Sequence, residues 1–137
     1  MENRYLCRGK RIDNGRWVEG YLSYPFCTEK GNESCYFYAK DNLDFFCRCV
    51  VDASTVCQCT GLKDKNGKLI WENDIIECKD DKHNFQTQIE WDAYCAGFIF
   101  QDTETSAVGL DAITANGIYS ESKVIGNVFD NPELLEV

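Results

Sequence analysis

The sequence predicts a mainly β fold, a sandwich or small barrel built from short strands. Three observations carry that expectation. Apolar and aromatic residues alternate with polar ones in short runs, as over Trp17–Tyr24, so successive side chains face opposite sides of a strand. Turn signals, among them Asn14-Gly15 and Asn66-Gly67, recur roughly every ten residues. No long segment repeats its apolar residues with the helical period. Aromatic residues reach 13% of the chain, and rings pack well on a pleated surface.

Taken in order, residues 4–24 read as a β-hairpin. Asn14-Gly15 predicts a type I′ turn, because both residues tolerate positive φ. After the turn, Trp17, Glu19, Tyr21 and Ser23 point one way, and Val18, Gly20, Leu22 and Tyr24 the other. Residues 26–34 read as a loop. Cys35–Tyr38 and Phe45–Val51 are further β-rich runs, separated by the polar turn Lys40-Asp41-Asn42. Residues 51–56 mark a boundary, with Asp52 placed to cap a helical turn through Thr55. The expected organisation is therefore an N-terminal β-hairpin-rich subdomain over 1–54 and a second unit over 55–137, or one continuous domain.

The second unit begins with a strand at Cys57–Leu62, and Asn66-Gly67 turns the chain into Leu69-Ile70-Trp71. Glu72-Asn73-Asp74 is a tight corner before Ile75–Cys78, where the Asp74 side chain is expected to accept backbone N–H groups and fix the turn. Asp80–Asn84 is a charged tip. Gln86–Trp91 and Gly97–Asp102 read as a strand pair. Over 103–120, Val108–Ile113 fits either a strand or a loop with one helical turn. Lys123–Phe129 is the last strand, ended by Asp130-Asn131-Pro132, and Glu133–Val137 is a short tail with one helical turn.

With 137 residues and 44% hydrophobic content, the chain can bury a core without metal or disulfide staples. The net charge of −9 repels phosphate backbones, so direct nucleic-acid binding is disfavoured unless cations are segregated. The candidate basic patch is Arg4, Arg8, Lys10, Arg11 and Arg16. No apolar run approaches the ~20 residues of a membrane-spanning helix, and the opening MENRYLCRGKRID lacks the apolar stretch of a secretory signal. Nine cysteines without such a signal point to free thiols in a reducing cytoplasm.

Catalytic chemistry is hard to assemble from these residues. Cys47-Arg48-Cys49 and Cys57-Gln58-Cys59 each place two thiols on one strand face, which makes Cys47, Cys49, Cys57 and Cys59 weak zinc candidates. The knuckle spacing of structural zinc is absent, and small buried thiols alternating along strands are the preferred account of the pattern. The single histidine, His83, lies in the charged tip, where solvation is its expected fate and no Cys–His pairing is expected. The carboxylate pairs Glu72/Asp74, Glu90/Asp92 and Asp102/Glu104 could bind Mg²⁺ or do acid–base work, but with no histidine or phosphate-binding loop beside them a wet strand face is the preferred account. No phosphate-binding glycine loop occurs, and no cofactor is expected. Trp17, Tyr21, Trp71, Trp91 and Phe98 are the candidate partner-binding residues, should several share an exposed face.

The segment from Thr55 to Ile76 (TVCQCTGLKDKNGKLIWENDII) resembles the signature of the YopX proteins of phages and prophages. Arg8–Gly15 with Trp17-Val18 and Gly20–Leu22 is similar to that family's opening hairpin. Ile89–Asp92 with Ala96–Phe98 resembles its middle, and Val124–Leu135 its end. Two positions depart from the pattern: Asn73 stands where the family has glycine in the corner, and Cys59 where it has an aromatic residue. The resemblance implies an SH3-like small barrel in the second half, a phage or prophage origin and a place in the cytoplasm of the bacterial host. It implies no reaction. The expected function is a non-catalytic accessory protein that binds a host or phage protein, one version being an acidic DNA mimic that counters host defence. The alternatives are a nucleotide-sequestering protein and a metal-dependent enzyme. Exposed strand edges also favour a homo-oligomer.

Overall fold

Strands dominate the backbone. In the computed structural model, which describes residues 5–23, 34–41, 48–79, 82, 84–102, 106–113, 117 and 119–136, strand accounts for 56% and helix for 11%. Among the described residues, every helical piece is a short 3-10 turn. The mainly β expectation therefore holds. The chain forms two units, Met1–Cys59 and Thr60–Val137. The division falls within one strand, and the 54/55 position contains a 3-10 turn, Ala53–Thr55. As expected, Asp52 caps that turn, its carboxylate accepting the Ser54 N–H at 3.0 Å.

In the first unit, β1 (Cys7–Lys10), β2 (Trp17–Leu22), β3 (Ser34–Ala39), β4 (Cys49–Asp52) and the start of β5 (Cys57–Lys63) form a sheet of order β4-β3-β2-β1-β5. The pairs β1–β2, β2–β3 and β3–β4 are antiparallel, with Gly9 opposite Val18, Gly20 opposite Ala39 and Phe37 opposite Cys49. Directly opposed residues share a face. One face therefore buries Phe37, Val51, Cys35 and Cys49, with Cys7, Val18 and Ala39 packed against them. Gly20 permits the close approach of β3, because a Cβ there would lie 2.0 Å from the Tyr38 carbonyl oxygen.

In the second unit, β6 (Leu69–Trp71) lies beside β5. β7 (Asp74–Lys79), β8 (Asn84–Gln88) and β12 (Lys123–Asn127) form a sheet of order β12-β7-β8. β9 (Glu90–Asp92), β10 (Gly97–Asp102) and β11 (Ser106–Gly109) form another, of order β11-β10-β9. The core joins Ile70, Ile76, Cys78, Phe85, Ile89, Phe100, Leu110, Ile113 and Tyr119. Tyr119 presents edge-to-face contacts to Phe85 at 5.5 Å and Phe100 at 5.8 Å.

Several expectations are corrected in detail. Gln86–Trp91 is not one strand. The chain breaks at the fully buried Ile89, whose N–H donates to the Asp74 carbonyl at 2.9 Å and whose carbonyl accepts from Asn73 N–H at 2.8 Å. That anchoring to the β6–β7 corner sends β8 and β9 into different sheets. The first Asn-Gly turn is not type I′: Gly15 takes φ +70° but Asn14 does not have positive φ. The Arg11 N–H instead donates to the Arg16 carbonyl and closes a longer loop. At the second turn, Gly67 at φ +80° follows a hydrogen bond from its N–H to the Asp64 carbonyl, a three-residue hairpin loop. Residues 106–113 combine both readings, strand β11 and then a 3-10 turn at Leu110–Ile113. The tail contains the expected helical turn, Pro132–Leu135. Most of the 26–34 loop, Phe45–Cys47, and Asp80, Asp81 and His83 of the charged tip lie outside the described residues.

Candidate functional site

The polar residues of the 55–76 segment organise backbone. Asp64 is buried, and its carboxylate accepts the N–H groups of Asn66, Lys68 and Val124, each at 2.9 Å. The Thr60 hydroxyl donates to the Ile70 carbonyl at 2.6 Å. Asp74, fully buried, accepts the Trp71 N–H at 2.8 Å, which is the turn-fixing role expected for it. Asn73 adopts φ +68°, so the corner forms without glycine. The carboxylate pairs are likewise divided: Asp92 accepts the Tyr94 N–H at 2.9 Å, and Asp102 accepts the Tyr119 hydroxyl at 3.1 Å. Glu104 lies outside the described residues.

Of the zinc candidates, Cys49, Cys57 and Cys59 are buried, and Cys47 lies outside the described residues. Among the described residues, no three His, Cys, Asp or Glu side chains converge. The Cys49 sulfur lies 3.2 Å from Nη1 of Arg11. Burial pushes the Cys78 thiol up to about 11. Cys95, on the β9–β10 turn, is exposed.

The five aromatic candidates separate. Trp71 is a core residue, 3% exposed: on β6 both Ile70 and Trp71 are buried, so neither face of the strand is wet there, which the run Leu69-Ile70-Trp71 does not distinguish from a half-wet strand. Trp91 and Phe98 face each other across β9 and β10, rings 5.1 Å apart and edge to face. Trp91 remains 47% exposed, and Tyr94 on the connecting turn is fully exposed. Tyr94 is not among those five; Asp92 at the end of β9, whose carboxylate accepts the Tyr94 N–H, is the turn signal that marks the hairpin tip.

Trp17 and Tyr21 lie on the outer face of the first unit's sheet. The register adds residues that sequence spacing does not connect. Lys10 opposes Trp17, Arg8 opposes Glu19, Tyr38 opposes Tyr21 and Val50 opposes Tyr36. The Arg8 guanidinium lies 4.6 Å from the Trp17 ring centroid, with the Lys10 ammonium at 5.5 Å, and the Arg48 guanidinium lies 4.7 Å from the Tyr36 ring. Glu19 pairs with Lys40, an arrangement that raises the lysine's affinity for its proton. The N-terminal basic cluster is thereby divided. Arg11 makes a two-point contact with Asp13 at 2.9 and 2.7 Å, which holds that carboxyl below its ordinary range. Arg16 is exposed beside the turn, and Arg4 lies outside the described residues.

Charge follows the two units. Residues 1–59 carry eight Lys and Arg against eight Asp and Glu; residues 60–137 carry six against fifteen. The whole net charge of −9 therefore belongs to the second unit. A cavity of about 480 Å³ there is lined by Leu62, Lys63, Asp64, Lys65, Ile113, Ser120 and Glu121. Its buried carboxylate is the backbone-bonded Asp64, and Lys65 pairs with Glu121 at 3.6 Å. No helix among the described residues is long and apolar enough to cross a membrane.

These features define a mainly β protein whose motif residues build turns and whose aromatic side chains reach the surface in both units. The chain belongs to the YopX family: the family model, YopX protein, matches residues 7–136. The fold is similar to the crystal structure of protein EF1440 from Enterococcus faecalis, with a TM-score of 0.52 and 21% identity over 95% of this chain and 96% of that one. None of the curated proteins matches the sequence.

Proposed function

We propose that this chain is a non-catalytic binding protein of phage or prophage origin that acts on a host or phage protein in the bacterial cytoplasm. The observation that carries this reading is the β9–β10 hairpin, where Trp91 stays 47% exposed against Phe98 and beside the fully exposed Tyr94. Large rings held rigidly at a surface are the side chains that anchor protein interfaces. The unit that bears them accounts for the whole net negative charge, so a basic partner is favoured, and an acidic mimic of DNA is the counter-defence form of the same idea. In this reading the second unit is an SH3-like barrel used as an interaction scaffold, and pairing of exposed strand edges would make the protein a homo-oligomer.

The test is capture from bacterial host lysate on immobilised protein, at low and high salt, beside the double variant Trp91→Ala/Tyr94→Ala. A protein retained by the wild type, released by salt and absent from the variant supports the reading. Equal retention by both, or retention of nothing, contradicts it.

A further inference from the structure

We propose that the outer face of the β1–β2–β3–β4 sheet binds single-stranded nucleic acid, with bases stacking on Trp17, Tyr21, Tyr38 and Tyr36 and phosphates meeting Arg8, Lys10 and Arg48. The strand register puts these side chains on one face. All of them are half-buried, so each is fixed in place but still reaches solvent. A single strand requires π-surfaces for bases and nearby cations for the backbone. Here cations lie over the rings themselves, Arg8 and Lys10 at 4.6 and 5.5 Å from the Trp17 centroid and Arg48 at 4.7 Å from that of Tyr36, so a base stacks on these two rings only as the cations move off to meet phosphate.

The spread of the rings favours an oligonucleotide over one nucleotide. Trp17 and Tyr21 are separated along β2 by about 13 Å at the usual strand rise, and Tyr36 lies further on, beyond the Tyr21–Tyr38 pair. A duplex hides its base faces in the stack and cannot use such rings. The net charge of the chain is not an obstacle at this face. Residues 1–59 are neutral as a whole. On the face itself Glu19 is tied to Lys40, and Asp52 caps the following turn. This surface is separate in sequence from the β9–β10 hairpin, so failure here would leave the protein-binding reading standing.

Fluorescence anisotropy of labelled oligo-dT and oligo-U with the full chain tests the proposal. Binding at low salt is expected. Arg8→Gln/Lys10→Gln should weaken it at least tenfold and reduce the steepness of the log–log salt dependence by about 1.4, two phosphate contacts at ~0.7 each. Lys63→Gln/Lys65→Gln, which changes net charge equally in the other unit, should leave binding unchanged. Circular dichroism verifies that the variants fold. If the first double variant does not fold, Arg48→Gln must itself weaken binding several-fold. Absence of binding, equal loss in both double variants, or equally tight binding of duplex or of mononucleotides overturns the proposal.

Discussion

The carboxylate of Asp74 accepts the backbone N–H of Trp71 at 2.8 Å from a position with no solvent exposure. This bond closes the corner between β6 and β7, on which Ile89 also anchors. Removing the acceptor leaves a buried N–H unsatisfied. Asp74→Ala is expected to cost about 2–4 kcal/mol, and Asp74→Asn, which keeps an acceptor, less. Urea denaturation followed by tryptophan fluorescence measures both; equal stability of Asp74→Ala and wild type would show that the corner stands without its carboxylate.

Asp64 makes the same argument with more bonds, since three N–H groups at 2.9 Å converge on it. One of them belongs to Val124, sixty residues away in the chain. Asp64→Ala should therefore cost roughly 3–5 kcal/mol in all, more than Asp74→Ala. Amide exchange at Val124 should accelerate in parallel with that at Lys68.

Backbone strain gives predictions of opposite sign. Ala96 adopts φ +52° in the β9–β10 turn, where a Cβ is unfavourable. Ala96→Gly is expected to stabilise the protein by up to ~1 kcal/mol. Gly20→Ala would drive a Cβ to 2.0 Å from the Tyr38 carbonyl oxygen and separate β2 from β3, costing on the order of 3 kcal/mol. Thermal melts of the two variants should move in opposite directions.

The thiols differ in access and in proton affinity. Iodoacetamide should label Cys95 well before the buried Cys35, Cys49, Cys57, Cys59 and Cys78, as read by peptide mass spectrometry. Burial raises the Cys78 thiol from 9.0 to about 11. The folded protein thus keeps a proton that the unfolded chain releases. The stability contributed by this group is complete below pH 9 and falls as pH rises from 9 towards 11. Cys78→Ala should flatten that part of the stability–pH curve; an unaltered slope would assign the loss to other groups.

At the β9–β10 hairpin, Trp91→Ala removes a half-exposed ring. It should change stability by no more than about 1 kcal/mol and yet abolish partner capture. A large loss of stability would make Trp91 a structural residue instead.

The turns were legible because their chemistry is local. Gly15, Gly67 and Asn73 reach positive φ, Asp52 caps the turn after it, and Asp74 fixes its corner, all within a few residues of the chain. The alternation of Trp17, Val18, Glu19 and Gly20 likewise assigned the two faces of β2, since the strand period is two. Local signals also misled. Asn14 tolerates positive φ but does not use it, because the Arg11–Arg16 closure sets a longer loop.

What the sequence by itself determined was the β class, its family and the order of most strands. Only the tertiary structure decided what each strand met. Pairing residues far apart in the chain buried Trp71 and left Trp91 exposed, bent the chain at Ile89, and set Tyr38 beside Tyr21 and Arg48 over Tyr36. The physical reason is that a strand's period fixes which residues share its face, whereas the depth and company of that face depend on which distant strands come to lie beside and over it, which the spacing within one strand does not encode.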